Sequence, residues 1–273
     1  MFQGKNVIIT GGSSGIGKAL AGRMVKAGAS LALIARDRKK LEAVRNELGR
    51  TAAAEQKVEV FSCDVADFEA VEKTLSAIVS KLGLPYMLVN SAGILREGYF
   101  EKLPLAVFRE IIEINYFGTL HCIKAALPYF QKRGKGRIVN ICSMAGLIGA
   151  FGYSAYCSSK FAITGLTETL RGELKPQHIR FHLVCPPEFG SPMVDELNKY
   201  RTPENRALVQ TMPVLDVEEV ADAVMAGVEK GKYLIIPGRT TRVLAALNRW
   251  LPGLSRAIVD RQIKKVYRDP GGS

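Results

Sequence analysis

Short apolar runs rich in β-branched residues alternate along the chain with longer stretches whose apolar positions recur at helical spacing. This alternation predicts an α/β fold in which helices cover both faces of a parallel sheet. The predicted strands are residues 6–10, 30–35, 58–62, 86–90, 137–142, 180–185 and 233–236. The predicted helices are residues 16–27, 38–50, 69–82, 105–131, 155–174 and 217–229. We therefore expect one doubly wound domain, residues 1–238, built on a seven-stranded parallel sheet.

The interval 186–216 breaks the alternation. It has five prolines and no sustained apolar period; these prolines are Pro186, Pro187, Pro192, Pro203 and Pro213. It follows the carboxyl end of a predicted strand, where ligands bind in doubly wound sheets. We expect a loop that covers the substrate, and a disordered surface insertion is the alternative.

The C-terminal residues 239–273 form a basic amphipathic tail. Apolar residues recur near helical spacing at Val243, Leu247, Trp250, Leu251, Leu254, Ile258 and Val266. Eight basic residues and one acidic residue lie between Arg239 and Arg268, and Pro252-Gly253 divides the pattern into two helices. An apolar stripe with flanking cations and a tryptophan suits an anionic membrane surface. Packing on the domain or on another subunit is the alternative.

Composition narrows the class of protein. The 273 residues are 47% hydrophobic and 23% charged, which is ordinary for a globular chain and excludes global disorder, collagen and a small disulfide scaffold. The net charge of +12 is concentrated in the tail, so we do not expect nucleic acid binding. Five cysteines without a C-x-x-C pair indicate a reducing compartment and no metal site. The first apolar run is too short for a signal peptide, so we expect a cytoplasmic protein, or one peripheral on the cytoplasmic face of a membrane.

A glycine-rich turn, Thr10 to Gly17, joins the first strand to the first helix with the spacing G-x3-G-x-G. Gly11 and Gly15 allow a tight turn and close backbone approach, and Gly17 allows the helix to pack closely on the strand. The N–H groups at the helix N-terminus can bind a pyrophosphate. The turn therefore predicts a dinucleotide site, and a plain βα turn is the alternative.

The second strand ends Ile34-Ala35-Arg36, at the place where a dinucleotide's adenosine ribose binds. A small residue followed by arginine leaves room for a 2′-phosphate and supplies donors for it, so we expect NADP(H), with Ser13 as a second phosphate contact. If the register differs by one residue, Asp37 would instead bind the 2′-hydroxyl of NAD.

Tyr156 and Lys160 are four residues apart on one face of a predicted helix, and Ser143 ends a predicted strand thirteen residues before Tyr156. Reduction of a ketone needs a proton donor at the developing alkoxide, and a lysine ammonium helps a phenol to act as that donor. A serine hydroxyl can hold the carbonyl oxygen. An exposed, ion-paired lysine beside a packed tyrosine is the structural alternative.

The order of these motifs resembles the classical short-chain dehydrogenase/reductase family over about residues 4–236. The resemblance rests on the glycine turn, Asp64-Val65, the Asn90 to Gly93 segment, Asn115, Ser143, Tyr156 with Lys160, and Pro186 to Ser191. It implies a Rossmann fold and the catalytic residues Asn115, Ser143, Tyr156 and Lys160, with Asn115 holding a water that reprotonates Lys160. The implied cofactor contacts are Gly11, Ser13, Ser14, Gly15, Ile16, Arg36, Asp64, Val65, Asn90, Ala92, Gly93, Tyr156, Lys160, Pro186 and Ser191.

Alternatives remain for two asparagines, since Asn115 can be a satisfied buried amide and Asn90 can bridge two strands. The chain also departs from the family's usual Pro-Gly after the sixth strand. Pro187 replaces the glycine, and Ser191 stands where a threonine usually binds the nicotinamide carboxamide. Pro187 fixes φ and removes a donor, so the backbone beside the nicotinamide must differ from the common form.

The Pro-Pro pair, Arg36 and the Phe161-Ala162-x-x-Gly165-Leu166 segment are most similar to the 3-ketodihydrosphingosine reductase branch. That branch implies reduction of a long-chain 3-keto amino alcohol. A hydroxysteroid dehydrogenase or 3-oxoacyl-carrier-protein reductase is the enzymatic alternative, and a non-catalytic NADP-binding membrane scaffold is the alternative of another class. By resemblance we also expect a homodimer or homotetramer formed through the helix that carries Tyr156.

Overall fold

The computed structural model describes residues 1–210 and 214–268. Its centre is a seven-stranded parallel sheet in the order β3-β2-β1-β4-β5-β6-β7. The strands are β1 Asn6–Thr10, β2 Ser30–Ala35, β3 Val58–Ser62, β4 Met87–Asn90, β5 Gly136–Ile141, β6 Ile179–Val184 and β7 Leu234–Ile235. The predicted sheet is confirmed. The first three strands match residue for residue, and no bound of the other four strands differs from its prediction by more than one residue.

Helices cover both faces of this sheet. They are α1 Gly15–Lys26, α2 Arg38–Gly49, α3 Phe68–Leu82, α4 Leu105–Ile111, α5 Gly118–Arg133, α6 Ser154–Glu173, α7 Pro192–Asn198, α8 Pro203–Val209, α9 Val217–Glu229, α10 Arg239–Trp250 and α11 Pro252–Arg268. Alternate residues of β1 enter opposite cores: Ile9 packs with Leu20 of α1, whereas Ile8 packs with Leu75 of α3. This two-sided burial explains why the central strands are continuous apolar runs.

The strand order reverses direction at β1, which pairs with β2 on one side and β4 on the other. Ligands of doubly wound sheets bind in the crevice at the carboxyl ends of the strands beside such a reversal. Thr10, Asn90 and Asn140 lie in register at this edge. The fold therefore brings the ends of β1, β4 and β5 to one place.

Two predicted segments differ in detail from the structure. The predicted helix 105–131 consists of α4, a π-helical turn Ile112–Phe117 and α5. The interval 186–216 contains the helices α7 and α8 and is therefore not an irregular loop. Ser191 and Thr202 cap these helices, and a proline occupies the first turn of each, a recognised start signal. Residues 211–213 of this interval, Pro213 among them, lie outside the described residues.

The tail forms the two helices α10 and α11, with the break predicted at Pro252. α11 packs against α8 as well as α10, and the Asn248 side chain donates to the Leu147 carbonyl at 3.1 Å. The packing alternative thus holds for one face of the tail, while the division of the chain at residue 238 stays a prediction. Residues 269–273 lie outside the described residues, and within the described ones no helix is long and apolar enough to cross a membrane.

Candidate active site

The glycine-rich turn forms a narrow cradle at the N-terminus of α1. Gly11 and Gly15 have φ values of +66° and +50°, in the left-handed region. A Cβ at Gly11 would lie 2.8 Å from the backbone of Ser91 and Ala92, and one at Gly17 would lie 2.4 Å from the Gly11 carbonyl oxygen. No acidic residue occupies the first turn of α1, so no carboxylate in that turn repels an anion from its N–H groups. These features fit the pyrophosphate of a dinucleotide.

Thr10 ties this turn to the segment after β4. Its hydroxyl oxygen accepts from the backbone N–H groups of Ser91 and Ala92, both at 3.1 Å. Asn90 is buried and donates to Asn140 Oδ1 at 2.8 Å, so it bridges β4 and β5 as the structural alternative expected. Sequence reasoning treated Thr10 only as the start of the glycine motif. Thr10 can make these two bonds because β1 pairs with β4, and the glycine motif alone does not predict that pairing.

The end of β2 presents an arginine to the proposed adenosine region. The Arg36 side chain is largely exposed, and its Nη1 lies 4.0 Å from Asp64 Oδ2. Asp37 caps α2, where its side chain accepts from the Lys40 N–H at 3.0 Å. Asp64 itself accepts from the Ala66 N–H, and the neighbouring Val65 is buried against Gly118. Asp64, one of the two residues expected at the adenine, thus lies beside Arg36.

Tyr156, Lys160 and Ser143 meet at the carboxyl edge of the sheet. Tyr156 lies in the first turn of α6, and the Lys160 Nζ, one turn later, is 5.5 Å from the centroid of its ring. The Ser143 hydroxyl, just after β5, hydrogen-bonds the Tyr156 hydroxyl. Both Tyr156 and Lys160 are buried, and Lys160 donates to the Ile141 carbonyl at 3.1 Å. The alternative of an exposed, ion-paired lysine is therefore wrong.

Burial controls the protonation of this group. It raises the pKa of Tyr156, with Cys142 acting in the same direction and the Ser143 hydrogen bond against it. Burial also lowers the pKa of Lys160, whereas the neighbouring Cys142 and Cys185 act to raise it. At neutral pH the phenol therefore carries a proton that it can donate.

Asn115 lies in the π-helical turn and is fully buried. Its Oδ1 accepts from the Ile94 N–H at 2.8 Å, and its Nδ2 donates to the Ile94 carbonyl and to Ser159 Oγ, both at 3.0 Å. These bonds give both the oxygen and the nitrogen of the Asn115 amide a hydrogen-bond partner, which agrees with the alternative of a satisfied buried amide. A Cβ at Gly93 would touch both Asn115 Oδ1 and Lys160 Nζ, at 3.1 and 3.7 Å. Asn115 thus lies close to Lys160 without a direct bond to it.

The segment after β6 brings the predicted nicotinamide residues over this group. The Pro186 carbonyl accepts from the Met144 N–H at 2.9 Å, beside Ser143. The Ser191 Cβ lies 3.8 Å from the Cβ position of Gly15, above the glycine cradle. The Ser191 hydroxyl accepts from the Val194 N–H and so caps α7. Pro186 and Ser191 therefore span from the cradle to the tyrosine.

A cavity of about 260 Å³ contains this site. Ser143, Tyr156 and Lys160 line it together with mainly apolar side chains. Four of the apolar lining residues belong to the tail, namely Leu244, Leu247, Ile258 and Val259. Sequence reasoning did not single out Tyr153, and it placed Glu188 only within the interval 186–216 that it expected over the substrate. Both line the cavity because of tertiary packing. Among the described residues, no group of three or more His, Cys, Asp or Glu side chains could hold a metal ion.

Comparison with known proteins agrees with this geometry. The family described as short chain dehydrogenase matches residues 5–202. The chain belongs to this family. A 3-dehydrosphinganine reductase of Danio rerio is 38% identical over 248 residues, which is 90% of this chain and 75% of that protein. A 3-ketodihydrosphingosine reductase of Dictyostelium discoideum is 35% identical over 93% of this chain and 80% of its own length.

Among solved structures, an NAD+-bound xylitol dehydrogenase matches with a TM-score of 0.80 and 28% identity, over 86% of this chain and 98% of its own. These findings confirm the expected family, its Rossmann-like fold and the similarity to the sphingoid reductase branch. The chain is thus an oxidoreductase of the short chain dehydrogenase family.

Proposed function

We propose that this protein reduces a ketone to a secondary alcohol with NADPH, and that its substrate is a long-chain amino ketone such as 3-ketodihydrosphingosine. The observation that carries the proposal is the meeting of Ser143, Tyr156 and Lys160 in one largely apolar cavity beside the glycine cradle. Buried polar groups that converge in an apolar pocket are typical of active sites.

The proposed roles follow from the contacts. Ser143 holds the ketone oxygen by a hydrogen bond, and Tyr156 donates its proton to that oxygen as negative charge develops there. Lys160, 5.5 Å from the Tyr156 ring, stabilises the phenolate that remains. NADPH, when bound, supplies the hydride to the carbonyl carbon. The buried, apolar setting strengthens each of these interactions.

Asn115 is proposed as a positioning residue for Lys160. Its bonds to Ile94 and Ser159 tie the segment after β4 to α6, and Gly93, which has no side chain, lies beside both Asn115 and the lysine. A water relay at this place remains the expectation from the family resemblance. Asn115 thereby serves the site whether or not it holds that water.

Arg36 supports NADP(H) as the cofactor. It is largely exposed at the end of β2, where it can turn toward a 2′-phosphate. The carboxylate that would favour NAD is that of Asp37, and its side chain is engaged as the cap of α2. If the Asp37 side chain left its capping position to bind a ribose hydroxyl, the protein would lose about 1 kcal/mol of stability.

The sphingoid substrate is supported by the names of the relatives and by the apolar cavity, which suits an alkyl chain. A hydroxysteroid or a 3-oxoacyl carrier protein is the alternative substrate. A non-catalytic NADP-binding membrane scaffold is the alternative of another class, and its prediction is binding without turnover.

The tail supports a peripheral membrane contact on the cytoplasmic side. All eight basic residues between Arg239 and Arg268 are exposed, and so is the indole of Trp250, at 76%. Leu251 and Leu254 are about half exposed beside it. Because other tail residues line the cavity, a tail resting on a membrane would place the cavity near lipid. A homodimer or homotetramer through α6 remains the expectation from the family.

The test is NADPH oxidation by the purified protein with 3-ketodihydrosphingosine, a short β-keto ester and a ketosteroid as separate substrates. We expect a kcat/KM for the sphingoid ketone at least about 100-fold above the others, because its chain fills the apolar cavity. A preference for the steroid or the ester would refute the substrate while keeping the reductase. Cofactor binding without turnover on any ketone would favour the scaffold.

A further inference from the structure

One wall of the cavity carries a carboxylate. Glu188 lines the cavity among mainly apolar residues, and its side chain is only 15% exposed. Arg201 Nη2 donates to Glu188 Oε2 at 2.7 Å, and the arginine side chain is 3% exposed. A buried ion pair stabilises a fold only weakly, because both charges lose their hydration. Its place in a substrate cavity therefore calls for a functional explanation.

Arg201 holds this carboxylate in a fixed position. Its Nε donates to Asn198 Oδ1 at 2.9 Å and its Nη1 to Asn205 Oδ1 at 2.7 Å, so each of its three nitrogens is engaged. Asn205 is itself held by its bond to the Phe151 carbonyl at 2.8 Å. Arg201 is not among the described residues that line the cavity, whereas Glu188 is. A ligand in the cavity would thus meet the carboxylate and not the guanidinium.

Among the residues that the structure describes, one oxygen of Glu188 is left without a partner and can meet such a ligand. The arginine binds Oε2, and among the described residues no hydrogen bond to Oε1 is found. A second carboxylate, Glu97, lies close enough to interact with both Glu188 and Arg201. Burial raises the pKa of Glu97, and its Oε1 accepts from Thr202. Arg201 therefore interacts with two carboxyl groups, and of these only Glu188 lines the cavity.

The carboxylate is linked to the reacting group through Tyr153. The rings of Tyr153 and Tyr156 are 5.7 Å apart, and the Tyr153 hydroxyl hydrogen-bonds Asn205, the partner of Arg201. Tyr153 and Glu188 line the same cavity as Tyr156. The Glu188 charge also acts on the Tyr153 hydroxyl, so a ligand with its carbonyl at Tyr156 shares the cavity with this carboxylate.

We propose that Glu188, held by Arg201, forms an ammonium-binding subsite that selects ketones with an amino group next to the carbonyl. The subsite makes the proposed sphingoid reduction specific for a substrate with an ammonium group. It therefore rests on the proposed function. The ligand class is a primary alkylammonium whose chain occupies the apolar part of the cavity. An ammonium that donates to a buried carboxylate forms a charge-assisted hydrogen bond, which is among the stronger polar contacts in proteins.

The first test compares Glu188→Gln with the unchanged protein on two substrates, 3-ketodihydrosphingosine and its N-acetylated form, which has no charge. Glutamine keeps an acceptor for Arg201 but loses the negative charge. We expect kcat/KM for the amine to fall about tenfold or more, and kcat/KM for the N-acetyl compound to change less than about threefold. Glu229→Gln, an exposed glutamate of α9, is the matched control and should change neither value. Equal losses on both substrates would overturn the subsite.

A second test does not depend on turnover. Isothermal titration calorimetry of the NADP-loaded protein is carried out with octylamine, a cation at pH 7, and with 1-octanol. We expect octylamine to bind about tenfold or more tightly than octanol, and Glu188→Gln to remove that difference. NADPH affinity should be the same in both proteins, which also shows that the variant folds. Equal binding of amine and alcohol by the unchanged protein would refute the subsite, even if the protein reduces the sphingoid ketone. A preference for octylamine with no sphingoid reduction would instead refute only the proposed substrate.

Discussion

Burial keeps the Tyr156 hydroxyl protonated beside Ser143 and Lys160, which is the state that a proton donor needs. We predict that Tyr156→Phe lowers kcat about 1,000-fold or more, because phenylalanine keeps the ring but has no proton to give. The Kd for NADPH, measured by its fluorescence, should change little. Steady-state kinetics with the favoured ketone provide the measurement.

The matched control is Tyr129→Phe, which removes the hydroxyl of a half-buried tyrosine on α5. It should leave kcat within about twofold of the original value, since surface hydroxyl losses are usually small. If Tyr156→Phe retains turnover, another group donates the proton and the assignment of Tyr156 is wrong.

We propose that the choice between NADPH and NADH depends on Arg36. We predict that Arg36→Ala raises KM for NADPH about tenfold or more and changes KM for NADH by less than about twofold, because only NADPH has the 2′-phosphate. Arg50→Ala removes another exposed arginine, at the end of α2, and should affect neither cofactor. Equal effects of Arg36→Ala on the two cofactors would argue against a 2′-phosphate contact.

Some site residues were predictable from the sequence, and others were not, for a physical reason. Tyr156 and Lys160 share a helix, so a spacing of four residues already places them on one face. Glu188 and Tyr153 are far apart in the chain and are linked through Arg201, which precedes α8, and Asn205 in α8. Contacts of this kind leave no periodic signal in a single sequence.

At the scale of elements, β6 holds a histidine whose titration should be visible in the stability of the protein. His182 is fully buried, and its Nδ1 lies 2.6 Å from the Lys232 carbonyl oxygen. Burial lowers the pKa of His182 to about 4, from an ordinary value of 6.5. Between these values the unfolded chain binds a proton that the folded chain does not, so stability falls as the pH falls through this window.

We predict that His182 contributes about 2 kcal/mol to the loss of unfolding free energy between pH 8 and pH 5. Urea denaturation of the unchanged protein and of His182→Asn at both pH values measures this contribution, and the variant should have the smaller pH dependence. His178→Asn replaces a histidine that has a positive φ, which asparagine also adopts. It should keep the original pH dependence. The same dependence in all three proteins would show that His182 does not titrate as described.

The predictability of an element depended on its length. Strands β1 to β3 match their predictions because apolar runs between turn signals define them sharply. α7 and α8 have seven residues each, which is too few to show a helical period. Only the Ser191-Pro192 and Thr202-Pro203 pairs indicate in the sequence where these helices begin. The π-helical turn before α5 could not be predicted from the sequence, because its apolar pattern continues that of the flanking helices.

The two tail helices form part of the cavity wall, so a deletion of the tail would disturb the site as well as any membrane contact. Point variants on the exposed face avoid this difficulty. We predict that Trp250→Ser with Leu251→Ser abolishes sedimentation with vesicles that contain phosphatidylglycerol, because both side chains are exposed among arginines. NADPH binding should persist, and added salt should weaken the sedimentation of the unchanged protein.

Leu105→Ser removes an exposed leucine at the start of α4 and serves as the control, which should sediment normally. Unchanged sedimentation of the tail variant would contradict a membrane role for this face. The tail would then be a wall of the cavity only.

In the whole molecule, the cofactor cradle, the reacting group and the tail helices adjoin one cavity. The glycine cradle lies after β1 in the middle of the sheet, Ser143 and Tyr156 meet beyond the end of β5, and α8 and the tail helices form part of the wall of their cavity. The tail also carries most of the net charge of +12. This arrangement suits an enzyme that takes an apolar, cationic substrate from a lipid surface and reduces it at a buried site.

The proposed hydride transfer to the sphingoid ketone can be followed with an isotope. Purified protein is mixed with 3-ketodihydrosphingosine and NADPH that carries deuterium at the transferred position, and the product is analysed by mass spectrometry. We expect dihydrosphingosine with a single deuterium on the former carbonyl carbon, formed at least about 1,000-fold more slowly by Tyr156→Phe. A product without deuterium, or none at all while other ketones are reduced, would contradict it.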